Sequence, residues 1–98
     1  MAGAAGSLTA VVTDDPLRFY LVYAQAADAQ ALQASFDAVW LRDDLFAVHT
    51  RMTRSELYHA VRDLCVPDAL LVAPLAAHPK FRGMAPGALK WFKQRSND

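Results

Sequence analysis

The sequence predicts an α+β sandwich, and three observations carry the prediction. Residues 17–25 and Ala69–Leu75 are apolar on both faces and rich in aromatic, β-branched or leucine residues, as strands inside a sheet are. Between them lie an amphipathic helix and a short strand region. A second amphipathic helix follows, opened by a start signal at Thr53. The order β-α-β-β-α-β within 98 residues is that of a ferredoxin-like sandwich, with helices laid on a sheet. A C-terminal helix is added to it. The predicted divisions are a loose segment over 1–16, the core over 17–77, and a basic loop and helix over 78–98.

Taken in order, residues 1–7 are small and read as a loose terminus, and 8–13 as a short extra strand. Asp14-Asp15-Pro16 is turn chemistry. The run Phe19-Tyr20-Leu21-Val22-Tyr23 belongs in the sheet interior. In the Ala-rich stretch after it, Leu32, Phe36, Val39 and Trp40 fall at i, i+4, i+7 and i+8, one stripe of a helix. Residues 41–50 read as strand interrupted at Asp43-Asp44. Two forms are open there: a two-residue hairpin, for which Asp-Asp is a poor type I′ turn, or a single bulged strand.

Thr53-Arg54-Ser55-Glu56 is a capping box, each end satisfying an orphan backbone N–H of the other. Leu57, Ala60, Val61 and Leu64 form the predicted buried stripe, and Pro67 ends the helix. Pro74 places the last core strand at a sheet edge or at its own end. Residues 78–83 are a loop. Pro86 opens a final helix through about Arg95, with Ala85, Ala88, Leu89 and Phe92 as its inner face.

Charge balances overall but not locally. Residues 1–48 carry two cations against six acids, residues 49–75 three against three, and residues 76–98 five against one. An acidic front and a basic tail can attract each other, and a basic tail can meet phosphate. The whole chain lacks the strong basic excess of a dedicated nucleic-acid binder. The single cysteine, Cys65, excludes an internal disulfide framework and fits a reducing compartment. The start has no positively charged leader, and no run approaches the roughly 20 apolar residues of a membrane span. A cytosolic protein without a membrane anchor is expected.

No catalytic constellation is legible, and no cofactor or metal is implied. Arg51 and Arg54 flank the N-terminus of the Thr53 helix, where free N–H groups and the helix dipole favour an anion. The plain alternative is that both are solvated or paired with nearby acids. Lys80 and Arg82 in a loop, then Lys90, Lys93 and Arg95 on a helix, interleave with Phe81 and Trp91. That mixture suits phosphate neutralisation with base stacking. The plain alternative is cations complementing a helix C-terminus. His49, His59 and His78 are scattered, and His59 with Asp63 is only a lone i, i+4 pair. Asp14/Asp15 and Asp43/Asp44 read as loop acids, and Cys65 as a buried thiol.

Several segments together resemble a known family. They are Phe19-Tyr20-Leu21-Val22-Tyr23 with the helix behind it, 39–50, Thr53-Arg54-Ser55-Glu56-Leu57 and Pro67-Asp68-Ala69-Leu70-Leu71-Val72. The pattern is similar to the small CRISPR-associated integration-scaffold family and its stand-alone relatives, including virulence-associated protein D endoribonucleases. The resemblance covers about residues 17–75. It implies a ferredoxin-like homodimer with nucleic-acid-related work. In metal-dependent nuclease members an aspartate follows the tyrosine of the first strand, and here that place is Ala24, followed by Gln25. The divalent metal such members use would lose an obvious ligand. Residues 78–98 do not match the pattern.

These readings combine into a non-catalytic homodimeric binding module whose partner is nucleic acid or protein. A small enzyme is the alternative, either a divergent metal-dependent endoribonuclease or a ligand-binding dimeric α+β barrel. A structural assembly subunit is the third. Self-association is expected through a sheet edge, because so small a sheet leaves one unpaired. Trp91 is expected to face outward as an interface anchor. It neighbours Phe92, which continues the inner stripe, and adjacent helix positions lie about 100° apart.

Overall fold

The computed structural model describes residues 16–77 and 79–96. The predicted strand over 8–13, the Asp14/Asp15 pair and His78 lie outside the described residues. The elements are β1 (Arg18–Gln25), α1 (Ala29–Ser35), β2 (Ala38–Arg42), β3 (Leu45–Thr50), α2 (Arg54–Cys65), β4 (Ala69–Leu75) and α3 (Ala88–Arg95). The four strands form one sheet in the order β2-β3-β1-β4, and every neighbouring pair is antiparallel. The described residues thus form a small α+β fold with a four-stranded antiparallel sheet and three helices.

Strand alternation splits the apolar residues into two cores. Tyr20, Val22 and Ala24 of β1 and Phe46 and Val48 of β3 point to one face, where Leu32 of α1 and Leu57 and Val61 of α2 bury them. Phe19 and Leu21 of β1, Val39 and Leu41 of β2 and Ala47 of β3 point to the other. There Ala88, Trp91 and Phe92 of α3 cover them. The described residues make three layers, with the sheet in the middle.

The α2 start is the capping box that the sequence predicts. Thr53 Oγ1 accepts from the Glu56 N–H at 3.2 Å, and Glu56 Oε1 accepts from the Thr53 N–H at 2.9 Å. Tyr20, buried in β1, donates its hydroxyl to the Met52 carbonyl at 2.8 Å and so ties the turn before α2 to the sheet. The helix ends at Val66, in the left-handed region at φ +44°, just ahead of Pro67.

Three expectations need correction, and one open choice is settled. The stripe Leu32, Phe36, Val39 and Trp40 does not lie on one helix: α1 ends at Ser35, and Val39 and Trp40 belong to β2. The backbone turns extended at Phe36, and the run Ala38-Val39-Trp40-Leu41, with its β-branched and aromatic residues, pairs with β3. Of the two forms open at residues 43–44, the structure takes the hairpin turn. Asp43 takes φ +50°, which aspartate tolerates, and the pairing slips by one residue between Trp40 and Arg42 to absorb the mismatch. On α2, Leu64 is exposed, and the half-buried Cys65 packs on the core in its place.

The third correction concerns α3. Trp91 is only 9% exposed, whereas Leu89 is 45% exposed. The inner stripe is Ala88, Trp91 and Phe92, so two adjacent aromatics share the buried side. They manage it because the sheet face beneath is wide and aromatic: Phe19 packs 5.9 Å from Trp91 and 5.2 Å from Phe92. Trp91 is therefore a core residue and not an outward anchor.

Candidate binding surface

The basic residues singled out by the sequence do not converge on one patch. Arg54 lies on the first turn of α2. It lines a groove of about 370 Å³ with Ser55, Tyr58, Leu70 and Val72, between α2 and the outer strand β4. Lys90 and Lys93 lie on the solvent side of α3. With Gly87, Leu89 and Gln94 they line an open trough of about 600 Å³. The sheet separates α2 from α3, so these two basic surfaces are on opposite faces. Lys80 and Arg82 are exposed on the segment leading into α3, and Arg51 is exposed in the turn before α2.

Arg95 is engaged within the fold. Its guanidinium forks onto Asp37, with Nε 2.7 Å from Oδ2 and Nη2 2.8 Å from Oδ1. Nη1 donates to the Trp91 carbonyl at 3.0 Å, and the guanidinium carbon sits 4.4 Å from the centre of the Trp91 ring. A fork of this kind holds both geometry and charge. Arg95 fastens the C-terminal helix to the α1–β2 turn, and its charge is already answered. The anion site expected at the α2 N-terminus is likewise partly filled, because the Glu56 carboxylate caps the Thr53 N–H.

Asp37 is the residue that sequence reasoning passed over. Besides Arg95, it has His49 Nδ1 at 3.8 Å, and its carbonyl accepts the His49 N–H at 2.9 Å. His49 stacks on Phe19 with ring centres 4.5 Å apart and meets Trp91 edge-on. Asp37 and Arg95 are 58 residues apart, so no local spacing signals the pair.

Hydrogen bonding from Arg95 is the main force holding the Asp37 carboxyl below its ordinary range, against partial burial. Burial is the main force holding the His49 imidazole below its ordinary value, outweighing the attraction of Asp37. Both groups therefore titrate lower in the folded state than in the unfolded chain. Each contributes stability above its unfolded pKa and loses it as the pH falls through the folded value. Acidification should lower the unfolding midpoint in two stages, the first starting near pH 6.5 from His49 and the second below about pH 4 from Asp37. Denaturant titrations between pH 8 and 3 measure this. His49→Gln should flatten the upper stage and Asp37→Asn the lower one, and a parent midpoint constant from pH 7 to 3 would contradict the account.

His59 lies edge-on to Tyr58 on α2, and Asp63 pairs with Arg62 at 3.1 Å. The Asp43 carboxylate lies 3.6 Å from Arg42 Nε. Among the described residues no group of three or more His, Cys, Asp or Glu side chains comes together as a metal site. Burial pushes the Cys65 thiol up, as suits a packing residue. No helix among the described residues is long and apolar enough to cross a membrane.

No protein-family model, curated protein or solved structure matches this chain.

Proposed function

We propose that this chain is a non-catalytic, ferredoxin-like binding domain that works as a homodimer and takes nucleic acid as its partner. The ferredoxin-like part is supported by the element order and by the sheet order β2-β3-β1-β4, with α1 and α2 on one face. The observation that carries the partner is the outer face of α3. Lys90 and Lys93, one turn apart, flank a trough open enough to receive a phosphate backbone, and Lys80 and Arg82 stand exposed on the segment before it. Mobile ammonium groups suit sequence-independent phosphate contacts. Leu89 in the same trough offers an apolar surface for a base or sugar.

Fluorescence anisotropy with labelled single-stranded and duplex RNA and DNA tests this at several salt concentrations. Binding should weaken as salt rises. The double variant Lys90→Glu/Lys93→Glu should bind at least tenfold more weakly and flatten the log–log salt slope by about 1–2, the share of two phosphate contacts. No retention of any nucleic acid at low salt would overturn the partner and favour a protein instead. Magnesium- or manganese-dependent cleavage of the probe would overturn the non-catalytic part.

A further inference from the structure

The strand β4 is an outer strand whose free side faces no other described element, and its hydrogen-bonding pattern can be derived. The Ala24 N–H donates to the Asp44 carbonyl at 2.9 Å, which continues the β1–β3 register. In an antiparallel ladder the residues bonded to one neighbour alternate with those bonded to the other. The even residues of β1 therefore bond to β3, and Phe19, Leu21, Tyr23 and Gln25 bond to Leu75, Ala73, Leu71 and Ala69 of β4. Leu70, Val72 and Pro74 are left with their backbone groups pointing away from the sheet. Proline sits at one of these outward positions, where its missing N–H costs the sheet nothing.

The opposite edge is engaged at the C-terminal end of β2. The Ala85 N–H donates to the Leu41 carbonyl of β2 at 2.7 Å, and Arg42 Nη1 donates to the Gly83 carbonyl at 3.2 Å. Head-to-tail growth from β4 of one molecule onto β2 of the next would have to displace this segment from the Leu41 end of β2. A closed twofold pairing through β4 needs no such displacement.

We infer that the homodimer forms by antiparallel pairing of β4 with β4 of a second copy, about a twofold axis at Leu71, giving one continuous eight-stranded sheet. The inference rests on the homodimeric part of the function proposed above and names the surface. In this register Leu70 of each copy exchanges both backbone hydrogen bonds with Val72 of the other. Every outward N–H of the strand is used, and Pro74 lies beyond the ladder. Centring the axis on Val72 would instead drive the Pro74 ring against the Leu70 carbonyl. The chosen register also sets Leu71 against Leu71 of the second copy. Leu71 is 53% exposed and Tyr23, its partner on β1, is 37% exposed, on the part of the sheet that α3 leaves open. On the other face the groove lined by Arg54, Ser55 and Tyr58 would run up to its own copy across the axis.

Sedimentation at tens of micromolar should show a dimer. Leu71→Asp places two carboxylates face to face at a position already exposed in one copy, so folding should persist by circular dichroism while dimerisation weakens at least tenfold. A second readout does not depend on that variant. A non-hydrogen-bonded antiparallel pair holds its Cα atoms about 4.5 Å apart, within disulfide reach. In a Cys65→Ala background, Leu71→Cys should oxidise to a covalent dimer, and Ala69→Cys, which faces Ala73 in this register, should not. A dimer that survives Leu71→Asp and does not crosslink at position 71 would overturn the interface while leaving the homodimer standing. Crosslinking at 69 in place of 71 would overturn the register. A monomer at these concentrations would overturn both, and would leave the edge to a strand from another protein.

Discussion

Phe92→Ala is expected to lower the unfolding free energy by about 3–5 kcal/mol. Phe92 is fully buried, and its ring lies 5.0 Å from Trp91, 5.2 Å from Phe19 and 5.8 Å from Phe81. It is the central side chain of the core beneath α3. The short helix cannot move inward to fill the space, because Arg95 holds its end to Asp37 and the segment before it is bonded to β2. A loss of this size is a large fraction of the roughly 5–15 kcal/mol that stabilises a domain. Urea unfolding followed by tryptophan fluorescence and by far-ultraviolet dichroism should show one transition at a lower midpoint with an unchanged slope. A small shift, with α3 melting ahead of the rest, would make the helix an appendage and not a layer of the fold.

Leu57→Ala is expected to cost about 2–5 kcal/mol from the other side of the sheet. Leu57 has no exposed surface and packs in the cluster of Tyr20, Val22, Phe46 and Val48. Its helix is fixed at the start by the Thr53–Glu56 box, which leaves little freedom to collapse into the cavity. The two substitutions lie in different clusters, so their costs should add within a few tenths of a kcal/mol. Both should shift one and the same transition, because the sheet is common to both cores. Separate transitions in either variant would show that the two faces fold independently. The comparison bears on function, since the proposed phosphate-facing lysines sit on α3 and the proposed edge sits beside α2.

The sequence by itself determined the features that neighbouring residues decide among themselves. Thr53 and Glu56 are three residues apart and cap α2 whatever the helix later packs against. Pro67 ends that helix, and Pro74 limits its strand to an edge, because a missing N–H is a local fact. The apolar runs at β1 and β4 marked two strands of the sheet for the same reason. The tertiary structure decided what local spacing leaves undetermined. Phe36 could have continued a helical stripe, but β3 offered Val39 and Trp40 a ladder. Leu89 and Trp91 are equally apolar on paper. Trp91 went inside because an aromatic sheet face waited for it and because Arg95 closes over its ring. The Asp37–Arg95 fork spans 58 positions and exists only once α3 has crossed to the far face of the sheet. The choice of face is an energy of packing between residues distant in the chain, and no periodicity within α3 encodes it.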